Sequence, residues 1–286
     1  MKKVLVTGAN GQLGKELRDI AKQSSDLEFL FLSREDLPIH HYDLVRNTFH
    51  GFQPDFCINC AAYTAVDKAE TEKELAEIIN AESVGILAAV AASMHCRFIH
   101  ISTDYVYDGE KKGEHREEDA PKPVSVYGET KLKGELAAVQ NDPTAIIIRT
   151  SWVYSKYGHN FVKTMVRLMQ EKKEISVVND QYGSPTWAAD LASFIVFVIQ
   201  QENWHPGVYN FSNAGAITWY DFALEIKSLV YSSCVVHAIP TESYPTPAKR
   251  PANSLMSKEK IKQVFGYSPR DWKTSLRECI QALTKG

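Results

Sequence analysis

The stretch Val4-Leu5-Val6-Thr7-Gly8-Ala9-Asn10-Gly11-Gln12-Leu13-Gly14 decides the fold. A β-branched run ends in glycines spaced G-x-x-G-x-x-G, and an amphipathic segment, 13–22, follows at once. Gly8 permits the tight turn, Gly11 lets backbone approach a pyrophosphate, and Gly14 lets the helix pack close to the strand. The start of that helix offers free N–H groups and a partial positive charge to phosphates. A strand, a glycine turn and a helix in this order predict a dinucleotide site.

Working outward, the first half alternates strands with helices. Residues 3–7, 28–32, 55–59, 97–102 and 145–149 read as strands. Helices are expected over about 72–94 and 125–140. Strands separated by helices predict a parallel sheet covered on both faces, which right-handed crossovers turn into a Rossmann-type, doubly wound α/β fold. The second half is less regular, with helices expected over 159–171, 188–200, 219–230, 257–265 and 272–284 and strands over 175–178, 207–211 and 235–239. Pro245, Pro247 and Pro251 make 242–253 a loop. The expected division is a dinucleotide-binding domain, 1–150, and a smaller α/β lobe, 151–286, mainly for substrate. Helix 188–200 is expected to pack back on the first domain.

Composition agrees with an ordinary globular chain of this size. The chain has 286 residues, which at roughly 150 per domain suggests two domains, or one large α/β unit with an attached lobe. Hydrophobic residues make up 44% and charged residues 23%, against a disordered chain. Thirty-two Lys and Arg against 35 Asp and Glu give a formal charge of −3, so no nucleic-acid partner is expected. The longest nearly apolar runs, 84–94 and 191–199, are too short to span a bilayer, so no membrane partner is expected either. Lys2 and Lys3 precede an apolar stretch that ends at once in the glycine loop, and a cytoplasmic location is expected. Five cysteines at irregular spacing imply no disulfide framework. Cys57-Ile58-Asn59-Cys60 reads as a buried strand end, not a metal or redox motif.

Two stretches bear on chemistry. After the second strand comes Ser33-Arg34-Glu35-Asp36. A carboxylate at that strand end would hold a ribose 2′-hydroxyl, whereas the guanidinium of Arg34 favours the 2′-phosphate of NADP. Asp43 and Leu44 follow a short extended piece, 37–42, and could flank the adenine. Further on, Ile99-His100-Ile101-Ser102-Thr103-Asp104-Tyr105 puts a hydroxyl pair at the carboxyl end of the fourth strand, where open α/β sheets bind ligands. Tyr127 and Lys131 then stand one helical turn apart, so the ammonium can approach the phenol. A cation there stabilises phenolate and lowers a pKa that is ordinarily near ~10. The tuned phenol can protonate a carbonyl oxygen as hydride reaches the carbon, with Thr103 orienting the same oxygen.

Thr7–Gly14, Asn59-Cys60-Ala61-Ala62, Ser102-Thr103 and Tyr127 with Lys131 resemble the extended short-chain dehydrogenase/reductase family. Further segments are similar to the dTDP-4-dehydrorhamnose reductases within it. They are Ile101–Gly109, Ala65–Glu70, Arg149–Tyr154, Asp180–Thr186 and Arg250–Ser254, spread in order over nearly the whole chain. The resemblance implies reduction of the 4-keto group of dTDP-4-dehydro-β-L-rhamnose to dTDP-L-rhamnose by NADPH or NADH. It implies Tyr127 as proton donor, Lys131 as its partner and Thr103 as the third catalytic member. It also implies cofactor contacts at Gly11, Gln12, Leu13, Asp43, Leu44, Ala61, Ala62, Tyr63 and Thr64, and substrate contacts at Thr103, Asp104, Tyr105 and Trp152. Gln181, Tyr182 and Arg250 are assigned to the nucleotide. Trp152 would offer a flat apolar face to a methylated sugar, and Arg250 two parallel hydrogen bonds to a diphosphate.

Some relatives form a homodimer bridged by Mg²⁺ through carboxylates on the first helix and near the start of a later one. Glu16 matches the first, but Ala188-Ala189-Asp190 puts an alanine at the second. Glu16 alone is therefore a candidate Mg²⁺ ligand. Two other functions remain open on these residues. One is another sugar-nucleotide reductase or an epimerase on the same fold. The other is a non-catalytic NADP-binding regulatory subunit.

Overall fold

In the computed structural model, which describes residues 1–284, the chain opens with strand β1 (Lys2–Thr7), helix α1 (Gln12–Ala21) and strand β2 (Leu27–Leu32). Helix α2 (Tyr42–Phe52), strand β3 (Phe56–Asn59) and helix α3 (Lys73–Ser93), which has a π-helical turn at Ile78–Glu82, come next. Strand β4 (Arg97–Thr103), helix α4 (Val126–Asn141) and strand β5 (Ile146–Thr150) follow. The chain continues through α5 (Phe161–Glu171), β6 (Glu174–Val178), α6 (Ala188–Gln200) and β7 (Gly207–Phe211). It ends with α7 (Trp219–Leu229), β8 (Val235–Ile239), α8 (Glu259–Phe265) and α9 (Trp272–Thr284).

The main sheet has the order β7-β5-β4-β3-β1-β2, with every neighbouring pair parallel. From β1 the chain turns outward to β2 and then crosses back to β3 on the other side. The connections therefore diverge between the carboxyl ends of β1 and β3, which opens the crevice where doubly wound sheets take ligands.

Alternating side chains divide the sheet between two cores. Val4, Val6, Ile58, Ile99 and Ile148 face α1 and α6, where Leu17, Leu191, Phe194 and Ile195 cover them. Leu5, Cys57, Phe98 and Ile147 face α2 and α3, against Val45, Phe49, Val84 and Leu87. Helix α3 is long and apolar because that face is core. A third core, around Met165, Ile175, Phe222, Ile226 and Leu276, joins α5, α7 and α9 to a small parallel sheet of β6 and β8. Helix α2 is absent from the sequence reading. Its buried Val45 and Phe49 lie one turn apart, and that pairing is the sequence mark of its inner face. Burial pushes the Cys57 and Cys60 thiols up, the reverse of what a reactive thiolate needs.

Candidate active site

A cavity of about 1250 Å³ opens over the carboxyl ends of β1, β3, β4 and β5. One wall is the glycine loop. Gly8 has φ +66°, and a Cβ there would lie 2.6 Å from the Ala61 nitrogen. At Gly14 a Cβ would lie 2.6 Å from the Gly8 carbonyl oxygen. Only glycine lets β1, β3 and the start of α1 approach so closely. No side chain caps α1 at Gly11, so its first N–H groups have no side-chain partner at the cavity edge. Gln12, Leu13, Arg34, Ala61, Ala62, Tyr63 and Thr64 line the same space.

Two expected cofactor residues stand outside it. Asp43 and Leu44 lie in the first turn of α2 and face solvent, and Asp43 sits 3.3 Å from Arg46. The piece expected to be extended, 37–42, is turn and coil up to His41, and α2 starts at Tyr42 and directs those side chains outward.

Thr103, Asp104, Tyr105, Tyr127, Lys131 and Trp152 meet in the cavity. Along β4 the side chains alternate, so the two hydroxyls of Ser102-Thr103 part company. Ser102 donates to Glu135 at 2.5 Å, and Glu135 also holds Arg149 through a bidentate pair buried to about 5% exposure. Thr103 donates to Asp104 Oδ1 at 2.9 Å and accepts the Tyr105 N–H. Asp104 Oδ2 is buried without a hydrogen-bond partner, and burial raises that carboxyl to about 6. Ser125 caps α4 by accepting the Gly128 N–H at 3.2 Å, which fixes Tyr127 in the first turn, edge-on to Tyr105.

Lys131 does not lower the Tyr127 phenol as the spacing suggests. Burial and the Asp104 charge raise Tyr127 to about 12, with the Thr103 hydroxyl pulling the other way. The Lys131 amine is turned beneath the site, where it donates to the Ile101 carbonyl at 2.7 Å and meets His100 Nε2 at 3.3 Å. Burial brings Lys131 down to about 8.

Trp152 forms the opposite wall. Its backbone is left-handed, φ +48°, and its ring stacks on Trp219 with centroids 3.7 Å apart. Trp219 also lines the cavity, and the sequence reading omits it. The box Thr218-x-x-Asp221, which caps α7, fixes the start of the helix that presents it.

Three residues expected on the nucleotide do not line this cavity. Gln181 donates to Thr241 Oγ1 at 3.1 Å. Tyr182 is exposed, and its backbone N–H pairs with the Ala252 carbonyl. Arg250 is already engaged, making two bonds to Asp67 at 3.0 and 2.8 Å, although its charge reaches the Tyr105 phenol. A partner so distant in sequence is invisible to local reading.

The family model described as the RmlD substrate binding domain matches residues 1–285. A dTDP-4-dehydrorhamnose reductase of Aggregatibacter actinomycetemcomitans is 40% identical over 97% of this chain and 98% of its own. The chain belongs to the dTDP-4-dehydrorhamnose reductase family. A crystal structure of a family member from Clostridium acetobutylicum superposes with a TM-score of 0.95 at 42% identity, covering 99% of both chains. One from Bacillus anthracis, solved in complex with NADP, gives 0.93 at 36%, covering 99% of this chain and 100% of that one.

The Mg²⁺ expected in some members of this family finds no support here. Glu16 is buried and accepts from Ser155 Oγ at 2.6 Å, and burial raises its carboxyl. Among the described residues of the single chain no three His, Cys, Asp or Glu side chains cluster.

Proposed function

We propose that the chain reduces the 4-keto group of dTDP-4-dehydro-β-L-rhamnose to dTDP-L-rhamnose, with NADPH as reductant, in rhamnose biosynthesis. One observation carries this reading. Thr103, Tyr127 and Lys131 share a single cavity with an uncapped helix start and its glycine loop. That volume exceeds what one drug-sized ligand fills, and it suits a dinucleotide beside a nucleotide sugar.

The glycine loop and the first N–H groups of α1 would hold the pyrophosphate, with Gln12 and Leu13 at its edge. Ala61, Ala62, Tyr63 and Thr64 would flank the cofactor, and Arg34 at the rim would meet a 2′-phosphate. When bound, the cofactor supplies hydride to the carbonyl carbon. Tyr127 rests as a protonated phenol, and its O–H gives the proton to the carbonyl oxygen as that carbon is reduced. Thr103 turns its hydroxyl from Asp104 to the same oxygen and fixes its direction. The Trp152 and Trp219 rings present an apolar wall to the deoxysugar's methyl group. Asp43, Leu44, Gln181 and Tyr182 lie outside the cavity lining, and this reading assigns them no contact. Arg250 could reach a diphosphate only by leaving Asp67.

The test follows nicotinamide absorbance after mixing protein, NADPH and dTDP-4-dehydro-L-rhamnose. Rapid loss of absorbance is expected. Tyr127→Phe should cut kcat by roughly 10²–10⁴-fold while leaving NADPH affinity and melting temperature near wild type. Turnover by that variant at the native rate would remove Tyr127 from the mechanism.

A further inference from the structure

Beneath the cavity a row of polar groups leads to Lys131, and apart from Lys131 the proposed reaction does not use them. Thr7 donates to Asn59 Oδ1 at 2.6 Å, and the Ala61 N–H reaches the same oxygen at 3.2 Å. Asn59 Nδ2 faces His100 Nδ1 at 3.0 Å, and His100 Nε2 faces Lys131 Nζ at 3.3 Å. Asn59, His100 and Lys131 are each at most 1% exposed, so water cannot mend a mismatch.

Counting donors fixes the protons. A peptide N–H can only donate, so Ala61 holds the oxygen of the Asn59 amide on its own side. The amide nitrogen therefore points at His100, and it too can only donate. Nδ1 of His100 must accept. Burial holds His100 neutral, so its one proton sits on Nε2, aimed at Lys131. An ammonium has no lone pair with which to receive it. A neutral amine accepts that N–H and still donates to the Ile101 carbonyl.

We propose that His100, oriented by Asn59, is a positioning residue that holds Lys131 as a neutral amine in the cofactor-free cleft. Beside it Tyr127, raised to about 12 by burial, rests protonated, as a proton donor must. The other groups facing Lys131 do not reverse this. Glu135, one turn along α4, favours the ammonium, but its charge is taken up by Arg149. Cys60, at the end of β3, is a neutral thiol held so by burial. Burial, set against Glu135 and Cys60, brings Lys131 to about 8, close enough for one hydrogen bond to decide its state at neutral pH.

The consequence for turnover rests on the reductase reading. The tautomer and the titration do not, and both can be read by NMR on the cofactor-free protein. Long-range ¹H–¹⁵N correlations of His100, assigned by their loss in His100→Phe, should show Nε2 protonated and Nδ1 bare. The Lys131 ε-carbon, assigned by its loss in Lys131→Arg, should titrate below about 8. His100→Phe removes the N–H that stabilises the amine and should raise that midpoint by about one unit, a tenfold change. If His100 instead accepted from an ammonium, the same variant would lower it. A proton on Nδ1, or a lowered midpoint in His100→Phe, overturns the proposal. Should His100→Phe fail to fold, an Asn59→Leu sample supplies the assignment by displacing the His100 signals, and the wild-type tautomer alone decides.

Discussion

The floor of the cleft and its rim hold similar side chains under opposite conditions. At the floor, Arg149 grips Glu135 with both partners about 5% exposed, and Ser102 and Tyr107 complete the set. At the rim, Arg250 grips Asp67 with the same two-pronged geometry, but the side chains are 24% and 40% exposed. Water stands in for a lost partner at the rim and cannot at the floor. The same ion pair should therefore be a structural requirement in one place and an adjustable contact in the other.

Breaking the floor pair should have the largest effect on stability. Glu135→Ala leaves Arg149 buried and unpaired, and should cost about 3–5 kcal/mol in chemical denaturation. A loss under ~1 kcal/mol would mean that the floor behaves like the rim.

Asp104 sharpens the contrast through pH. Burial lifts it from 3.8 to about 6, so the folded state holds the proton more tightly than the unfolded chain. The stability this gives is complete below pH ~4 and is lost as pH rises through about 6. A gap of about two units corresponds to ~3 kcal/mol. Asp104→Asn should flatten that decline in denaturation curves recorded from pH 4 to 7, whereas parallel curves would take Asp104 out of the account.

Effects at the rim should be smaller and confined to ligands. Arg34→Ala should weaken NADPH binding by about tenfold, the worth of one charge-assisted contact, and leave NADH nearly unchanged. Equal losses in titration calorimetry would remove Arg34 from the cofactor site. Asp67→Ala should alter stability by less than ~1 kcal/mol. If Arg250 is recruited to a diphosphate, the same change frees it and lowers the KM for the sugar nucleotide. A raised KM would show the pair holding the rim in its working shape.

The same division governs how much the sequence disclosed. The glycine loop, the strand end at Thr103 and the Tyr127–Lys131 turn are local patterns, and each lies where its spacing points. The direction of the Lys131 amine is not local, because it depends on His100, an imidazole within the apolar strand Phe98–Ile101. Arg149 ends a run of three isoleucines, which marks it as buried but does not name Glu135 on α4. Arg250 and Asp67 meet across most of the chain, and nothing near either residue announces the other. Trp219 escapes notice because its stacking on Trp152 joins segments far apart in the chain. Long-range pairing of polar groups is the part that a linear reading misses.

The edge strand of the main sheet has a consequence for how the protein is made. β7 joins β5 in parallel from Gly207 opposite Ile146 to Phe211 opposite Thr150, yet α5, β6 and α6 are synthesised in between. A nascent chain that has emerged only to residue 150 has an open β5 edge. Val6, Ile58 and Ile148 also lack the α6 residues that cover them. Such an intermediate is sticky, and chaperones act on species of this kind. The six-stranded sheet is therefore complete only once residue 211 has been made, well after its fifth strand.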